Sequence, residues 1–191
     1  MLSWTLAGCG HGGEPPSGPV IKHLNLEGTK QVSDRDIKKR IATAATGWWW
    51  PFATKQYFDP VTWQSDLRRI ERVYETRGFY QAEVVSDQVK PVKGGVDLTA
   101  VISEGKPTTV ESFEVQGLEP LTPAERQTAL DDLGLERGKT FLEGGWESAK
   151  EQLQGRLRDM GFAEVELDAR ALVDVKTQKA SLVMVVRPGE R

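Results

Sequence analysis

Few residues of this chain have the types and spacing that catalysis or metal binding requires. The two histidines, His11 and His23, have no second ligand at metal-binding spacing. Charged pairs such as Arg68 and Glu71 lie on a predicted helix, where a solvated surface is more common than an acid–base couple. The glycine pairs lack the lysine of a phosphate-binding loop. The sequence therefore predicts no enzyme, with no catalytic residue, no metal site and no cofactor.

The single cysteine, Cys9, points to a different chemistry. It follows Leu6-Ala7-Gly8, and this tetrapeptide resembles the lipobox of bacterial lipoprotein precursors, in which the cysteine thiol accepts a diacylglycerol. Only the first eight residues precede it, fewer than a secretory signal needs. Two hypotheses stay open. Either Met1 is an internal or misassigned start and Cys9 is lipidated, or the match is a chance one in a flexible leader.

Composition predicts an ordinary globular protein of two small domains. The chain has 191 residues, of which 38% are hydrophobic and 28% charged. It contains no apolar run long enough to span a bilayer as a helix. The net charge of -3 gives no basic field for nucleic acid, which is therefore excluded as a partner.

The elements that could position functional residues occur twice. Trp63 and Trp146 each begin an apolar helical pattern that ends at a Gly-Phe pair, Gly78-Phe79 in one case and Gly161-Phe162 in the other. Upstream, the strand that ends at Gly28 matches one that ends at Gly117. We therefore expect a leader at 1–19 and two small domains, unit one at 20–107 and unit two at 108–191.

Each unit has the pattern strand, helix, helix, strand, strand. In unit one the alternation in 20–26 predicts a strand, and Ser33 caps a helix expected to run to about Ala45. Asp59-Pro60 opens a second helix, and the last two strands form a hairpin. In unit two, Thr122-Pro123 and Gly145-Trp146 open the corresponding helices. This order predicts an α+β fold with both helices packed on one face of each sheet.

This order resembles the polypeptide-transport-associated (POTRA) domains of outer-membrane β-barrel assembly proteins, of the BamA and TamA type. The likeness covers about residues 20–191 and rests on three features: the signature 67–84, the glycine after the first strand, and the Glu-Gly or Pro-Gly that closes each unit. Unit two departs from it at Lys150 and Ala163, which stand where unit one has Leu67 and Tyr80. The resemblance implies two tandem β-α-α-β-β domains, each with a three-stranded mixed sheet.

The resemblance also implies a location and partners. Such domains lie on the periplasmic side of the bacterial outer membrane, ahead of a C-terminal transmembrane β-barrel that is not present in this chain. They hand unfolded outer-membrane or exported polypeptides toward the barrel and contact other assembly subunits. The chain is then expected to be either an excised fragment or a free-standing periplasmic protein.

A sheet edge is the predicted binding site. In the family's sheet the third strand is central, so the second strand is an edge that can pair with an extended polypeptide. The alternative is a merely solvated edge, guarded by its glutamates. The candidate residues are Tyr80, Gln81, Ala82, Glu83, Val84 and Val85 in unit one and Glu164, Val165 and Glu166 in unit two.

Unit one also carries an aromatic insertion. From Gly28 to Trp63 it is six residues longer than unit two is from Gly117 to Trp146, and the surplus falls where Gly47 precedes a tryptophan cluster. Adjacent tryptophans cannot all face one core, so a contact with a partner or a membrane interface is predicted, against local packing as the alternative. The residues are Trp48, Trp49, Trp50 and Phe52.

The sequence leaves three functions open. The first is a periplasmic interaction module of an outer-membrane protein assembly factor that works by docking and strand pairing. The second is the recognition region of a two-partner secretion transporter, which serves one dedicated exported protein. The third is a lipid-tethered envelope scaffold that binds no unfolded chain.

Overall fold

Two similar units follow one another along the chain. The computed structural model describes residues 18–47 and 54–190. Unit one comprises β1 Ile21–Glu27, α1 Asp34–Lys38, α2 Pro60–Thr76, β2 Glu83–Val92 and β3 Gly95–Ser103. Unit two comprises β4 Thr109–Gln116, α3 Pro123–Leu130, α4 Glu143–Asp159, β5 Val165–Asp174 and β6 Lys179–Pro188. The predicted β-α-α-β-β order and the α+β fold class are confirmed in both units.

Each unit has its own three-stranded mixed sheet. The strand orders are β1-β3-β2 and β4-β6-β5, so the last strand of each unit is central. The central strand pairs in parallel with the first strand and antiparallel with the second. Side chains of β3 and β6 alternate between buried and half-buried, because one face of each sheet meets the helices while the other faces outward.

The two cores are separate and equivalent. Trp63 and Trp146 begin the buried helix stripes and are only 1% and 6% exposed, which confirms their predicted place in the core. Along α2 the stripe continues with Ile70 and Tyr74, both fully buried, while Leu67 is half-buried. Such i, i+3 and i+4 spacing lays one apolar face of a helix against a sheet.

Helix α1 is shorter than the sequence suggested. It ends at Lys38, whereas the prediction extended it to about Ala45. The cause is Asp66 of α2, which is fully buried and accepts hydrogen bonds from the backbone amides of Ala42 at 3.0 Å and Thr43 at 2.7 Å. Those amides are thereby unavailable to a continuing helix, and the chain turns toward β1 instead.

The starts of α2, α3 and α4 agree with the sequence prediction more closely than the end of α1 does. Asp59 caps α2 by accepting from the Thr62 amide at 2.8 Å, and Thr122 forms a capping box with Glu125 at the start of α3. Helix α4 begins at Glu143, two residues before the predicted start, and its N-cap residue makes no side-chain capping bond. No described helix has the length and apolarity to cross a bilayer.

A buried carboxylate ties the ends of unit one together. Glu104 follows β3 and accepts from the amides of Lys30 and Gln31 at 2.7 and 2.9 Å and from the Tyr74 hydroxyl at 3.0 Å. Burial by itself would raise the pKa of Glu104, but these hydrogen bonds outweigh it and lower the pKa. Glu104 is therefore an ionised anchor that holds the loop after β1 against the end of β3.

Candidate functional site

Each sheet has one obstructed edge and one open edge. At β1, the Ile21 amide donates to Gln56 and the Ile21 carbonyl accepts from Thr46, at 2.9 and 3.0 Å. At β4, Val110 exchanges bonds of 2.8 Å with Lys139 and Gly138. Loop backbone thus covers the start of both first strands. Within the described chain, only side chains bond to the outer edges of β2 and β5, so a further strand could pair there.

The open edge of unit one is irregular. The register of β2 against β3 shifts between Val84 and Ser86, which leaves Val85 as a bulged residue that is 53% exposed. The Val84 amide donates to the carboxylate of Glu71 at 3.0 Å. A bulge and an occupied amide both weaken this end of β2 as a template for pairing.

The predicted site residues of unit one fall into two groups. Glu83, Val84 and Val85 lie on β2, and Ala82 directly precedes it. Tyr80 and Gln81 lie in the turn between α2 and β2, so the prediction that they belong to the edge strand is wrong. The reason is that this turn is held against unit two, where it forms part of the contact between the units.

That contact combines an aromatic pair with hydrogen bonds. The rings of Tyr80 and Phe141 stack with centroids 6.3 Å apart and planes 19° apart. Gln81 donates to the Val175 carbonyl at 2.8 Å and accepts from Gln178. Backbone bonds continue it, since the Thr108 amide donates to the Gly78 carbonyl at 2.8 Å. Residues from the end of α2 in unit one therefore pack against the loop before α4 and the β5–β6 turn.

An ion pair closes the contact on its helical side. Arg72 donates through both terminal nitrogens to the Glu143 carboxylate, at 2.7 and 2.5 Å, and to Glu75 at 2.9 Å. These bonds, first with Glu143 and then with Glu75, raise the pKa of Arg72 above its already high value. Burial and the neighbouring Glu143 raise the pKa of Tyr80, whose hydroxyl donates to that carboxylate at 3.3 Å. Both side chains keep their protons at physiological pH.

The open edge of unit two is regular. Strand β5 pairs with β6 residue by residue from Val165 to Asp174 without a register shift. The predicted residues Val165 and Glu166 lie on it, and Glu164 directly precedes it, where its carbonyl accepts from Gly189 at 2.6 Å. Leu172, on the outer face of β5, is 74% exposed.

A cavity of about 370 Å³ lies beside β5 where the two units meet. Its walls include the aromatic rings of Tyr80, Phe141 and Trp146, and Ala171 and Val173 of β5 line it as well. Arg72, Glu143 and Glu147 add charged groups to the lining. Ala171 and Val173 pair with buried residues of β6, so they lie on the helix-facing side of the sheet. A strand added to β5 would direct every second side chain toward this side.

The sequence did not predict the residues of unit two that line this cavity and contact unit one. Phe141 and Glu143 lie in the segment before Trp146, and nothing in their types or spacing distinguishes them from ordinary core and surface residues. Arg72 lies in a charged stretch of the predicted helix, which by itself indicates only a solvated face. The usable signal was Tyr80, an aromatic residue that the repeat replaces by Ala163, since a difference between repeats marks a position that the shared fold does not require.

Several predicted features lie outside the described residues. These are Cys9 with the rest of the leader up to residue 17, and the aromatic insertion with Trp48, Trp49, Trp50 and Phe52. In ranges 18–47 and 54–190, no group of three or more His, Cys, Asp or Glu side chains is placed to hold a metal ion.

Comparison with known proteins supports the resemblance. The family model described as "Surface antigen variable number repeat", POTRA, matches residues 19–105. The chain is 23% identical over 180 residues to the outer membrane protein assembly factor BamA of Neisseria meningitidis serogroup B, which covers 91% of this chain and 22% of that protein. It is 26% identical over 99 residues to BamA of Buchnera aphidicola, covering 51% of this chain and 16% of the relative.

A solved structure shares the fold. The crystal structure of BamA POTRA3-5 from Haemophilus influenzae aligns with 93% of this chain and 70% of that chain, at a TM-score of 0.50 and 18% identity. The chain spans about a fifth of the length of the curated relatives it matches.

Proposed function

The chain consists of tandem POTRA domains of the Omp85/BamA family, and on this premise we propose that it is a periplasmic interaction module of an outer-membrane protein assembly factor. Its partners are unfolded outer-membrane polypeptides and other subunits of the assembly machinery. It binds them by docking and by the addition of an extended segment to an open sheet edge. The regular register of β5, which has no bulge, is the observation that carries this proposal.

Strand β5 suits this role better than β2 for two physical reasons. Its ten residues keep one register, whereas β2 has a bulge at Val85. The start of each edge is engaged by one side chain, Glu71 at the Val84 amide and Gln154 at the Val165 carbonyl, so this contact does not distinguish them. The helix-facing side of β5 also borders the aromatic cavity, so an added strand gains apolar burial as well as backbone bonds. Backbone pairing gives affinity for many sequences, and the cavity favours a large apolar side chain at one position.

Cysteine cross-linking on the full chain tests both the mode of binding and the choice of edge. Leu172 and Lys90 are matched positions on β5 and β2, because they pair with Ser181 and Asp97, which correspond in the two central strands. In a Cys9→Ser background, Leu172→Cys and Lys90→Cys are compared. The probe is a peptide of alternating valine and threonine with one central cysteine. We expect disulfide formation about ten times faster at position 172, because added strands hold facing side chains in contact.

A peptide with N-methyl groups on alternate residues is the control, because it keeps the side chains but loses backbone donors along one edge. Two versions, methylated on either edge, are needed, and one of them must lose the cross-link. Equal cross-linking by all peptides would refute strand addition, and a preference for position 90 would transfer the site to β2. Binding of one dedicated exported protein and of no other peptide would instead indicate a two-partner secretion transporter. No cross-link with any peptide would favour a scaffold without client binding.

A further inference from the structure

A cleft lies between the helices of unit one and the start of α4. Its volume is about 710 Å³, which lies in the range of ligand-binding clefts. Although the whole chain is acidic, with a net charge of -3, basic side chains outnumber acidic ones in this lining. The basic residues are Lys39, Arg40, Arg69, Arg72 and Arg77, and the acidic ones are Asp36, Glu143 and Glu147.

Three of these cations lack a hydrogen-bonded acceptor within the described residues. Arg77 and Lys39 lie 3.7 and 3.9 Å from Asp36, beyond hydrogen-bond distance, and no ion pair or hydrogen bond from residues 18–47 or 54–190 engages the side chain of Arg40. By contrast, Arg69 donates to Asp66 at 2.5 Å and Arg72 is bonded to Glu143. One carboxylate, that of Asp36, therefore lies near two of the three cations without a hydrogen bond to either, and the donors of Lys39, Arg40 and Arg77 remain available to an anionic partner.

The internal repeat shows which of these charges the fold does not need. Helix α4 repeats α2 with a spacing of 83 residues, and its core positions remain apolar and buried at Trp146, Leu153 and Leu157. The counterparts of three cleft cations, two on α2 and one directly after it, carry no charge in unit two. Arg69, Arg72 and Arg77 correspond to Gln152, Gly155 and Met160. Arg69 and Arg72 already have structural partners in Asp66 and Glu143, whereas Arg77 has no hydrogen-bonded acceptor among the described residues and unit two builds the same architecture without a charge at its position. The charge of Arg77 is thus not required by the shared fold.

We propose that this cleft, the cationic cleft, docks an acidic segment of a partner polypeptide, whose carboxylates bond to Lys39, Arg40 and Arg77. The lining carries both signs of charge and is concave. That arrangement accepts a chain with a few carboxylates, whereas binding to an anionic membrane surface requires an exposed cluster of like charges. The cleft shares Arg72, Glu143 and Glu147 with the lining of the β5 cavity, but Lys39, Arg40 and Arg77 line the cleft alone, and docking there does not depend on strand addition.

Fluorescence anisotropy with the full chain tests this docking. The probe is a fluorescein-labelled peptide of alternating glutamate and serine, and its counterpart has glutamine in place of glutamate. The test variant is Arg40→Gln with Arg77→Gln. The matched control is Arg158→Gln with Lys176→Gln, which removes the same charge from exposed positions of unit two. We expect the test variant to weaken binding of the glutamate peptide about ten-fold or more, as lost charge-assisted hydrogen bonds would, and the control variant to leave it nearly unchanged.

Further outcomes decide against the proposal. Equal weakening of binding by both double variants would mean that only overall charge matters. If the glutamine peptide binds as tightly as the glutamate peptide, carboxylates are not what the cleft recognises. Vesicles containing phosphatidylglycerol are tested in parallel, and binding to vesicles without binding to the peptide would assign the cleft to lipid instead. Thermal melts of both double variants confirm that any loss of binding is not a loss of fold.

Discussion

Two glycines at the same position of the repeat have different neighbours. Gly78 and Gly161 both end the second helix of their unit in the left-handed region, with φ of +87° and +98°. A Cβ on Gly78 would lie 2.4 Å from the Phe141 carbonyl oxygen, whereas one on Gly161 would meet nothing within 4 Å. Gly78 is therefore required twice, by its own backbone angle and by the close approach of unit two.

Alanine substitution at each glycine separates these two requirements. Gly161→Ala should cost about 1 kcal/mol of backbone strain, whereas Gly78→Ala should cost about twice that, because the Phe141 backbone must also move. Urea unfolding, followed through amide signals of each unit, measures both losses, and Gly78→Ala should also shift amide signals around Phe141. Equal losses of unfolding free energy in the two variants, with no such shift, would show that the Phe141 backbone moves away from the new methyl group at no measurable cost.

The same pair shows what the sequence predicts at this scale and what it does not. The Gly-Phe ending of the helix is a local signal, and it was recognised in both units. Which of the two glycines faces another unit depends on Phe141, a residue far along the chain, and no local pattern contains that information. For the same reason Tyr80 was assigned to a strand, although its ring is held by unit two.

Buried carboxylates decide where elements of unit one end. Asp66 stops α1 by binding the amides of Ala42 and Thr43, and Glu104 holds the loop after β1 against the end of β3. The sequence predicted the helices and strands themselves, because hydrophobic periodicity and capping residues are local. It extended α1 too far because Asp66 lies on another helix, and a carboxylate at a helical position is ordinarily exposed.

Replacement of Glu104 by glutamine tests this tie and its dependence on pH. The folded-state pKa of Glu104 is lowered, so its contribution to stability is present above the unfolded pKa and is lost as pH falls through the folded pKa. Glu104→Gln should cost unit one about 2 kcal/mol at neutral pH, because charged hydrogen bonds to buried amides are lost. Its stability should then change less between about pH 5 and pH 2 than that of the unaltered chain.

Unit two is the internal control for that measurement, since Pro188 occupies the corresponding position there. Amide signals of unit one and unit two, followed through the same acid titration, report each unit separately. If Glu104→Gln leaves the acid sensitivity of unit one unchanged, other carboxylates such as Asp66 are responsible for it.

At the scale of the whole molecule, the contact between the units is what the repeat could not predict. The β-α-α-β-β order, the central third strand and the open second strand follow from pattern and resemblance together. The relative placement of the units follows from Tyr80, Phe141, Arg72 and Glu143. Tyr80, Arg72 and Glu143 differ from their counterparts in the other unit, whereas Phe141 repeats Phe58 and is distinguished only by its contact with Tyr80. Both candidate sites, the β5 cavity and the cationic cleft, border this contact, so its rigidity bears on each of them.

The strength of this contact should come more from the aromatic pair than from the ion pair. Stacked rings contribute about 0.5–1.5 kcal/mol beyond their buried area, whereas an exposed ion pair contributes about 1 kcal/mol or less. The Arg72 side chain is 56% exposed. We therefore expect Tyr80→Ala to loosen the contact between the units clearly and Arg72→Gln to loosen it only slightly. The control Arg68→Gln, whose side chain is exposed away from the contact, should have no effect.

Nitrogen-15 relaxation measures the relative motion of the units directly. Units that tumble as one body share a rotational correlation time, and loosened units do not. Separate correlation times in the unaltered chain would show that the contact does not hold the two units together. A larger effect of Arg72→Gln than of Tyr80→Ala would make the ion pair the main component of the contact.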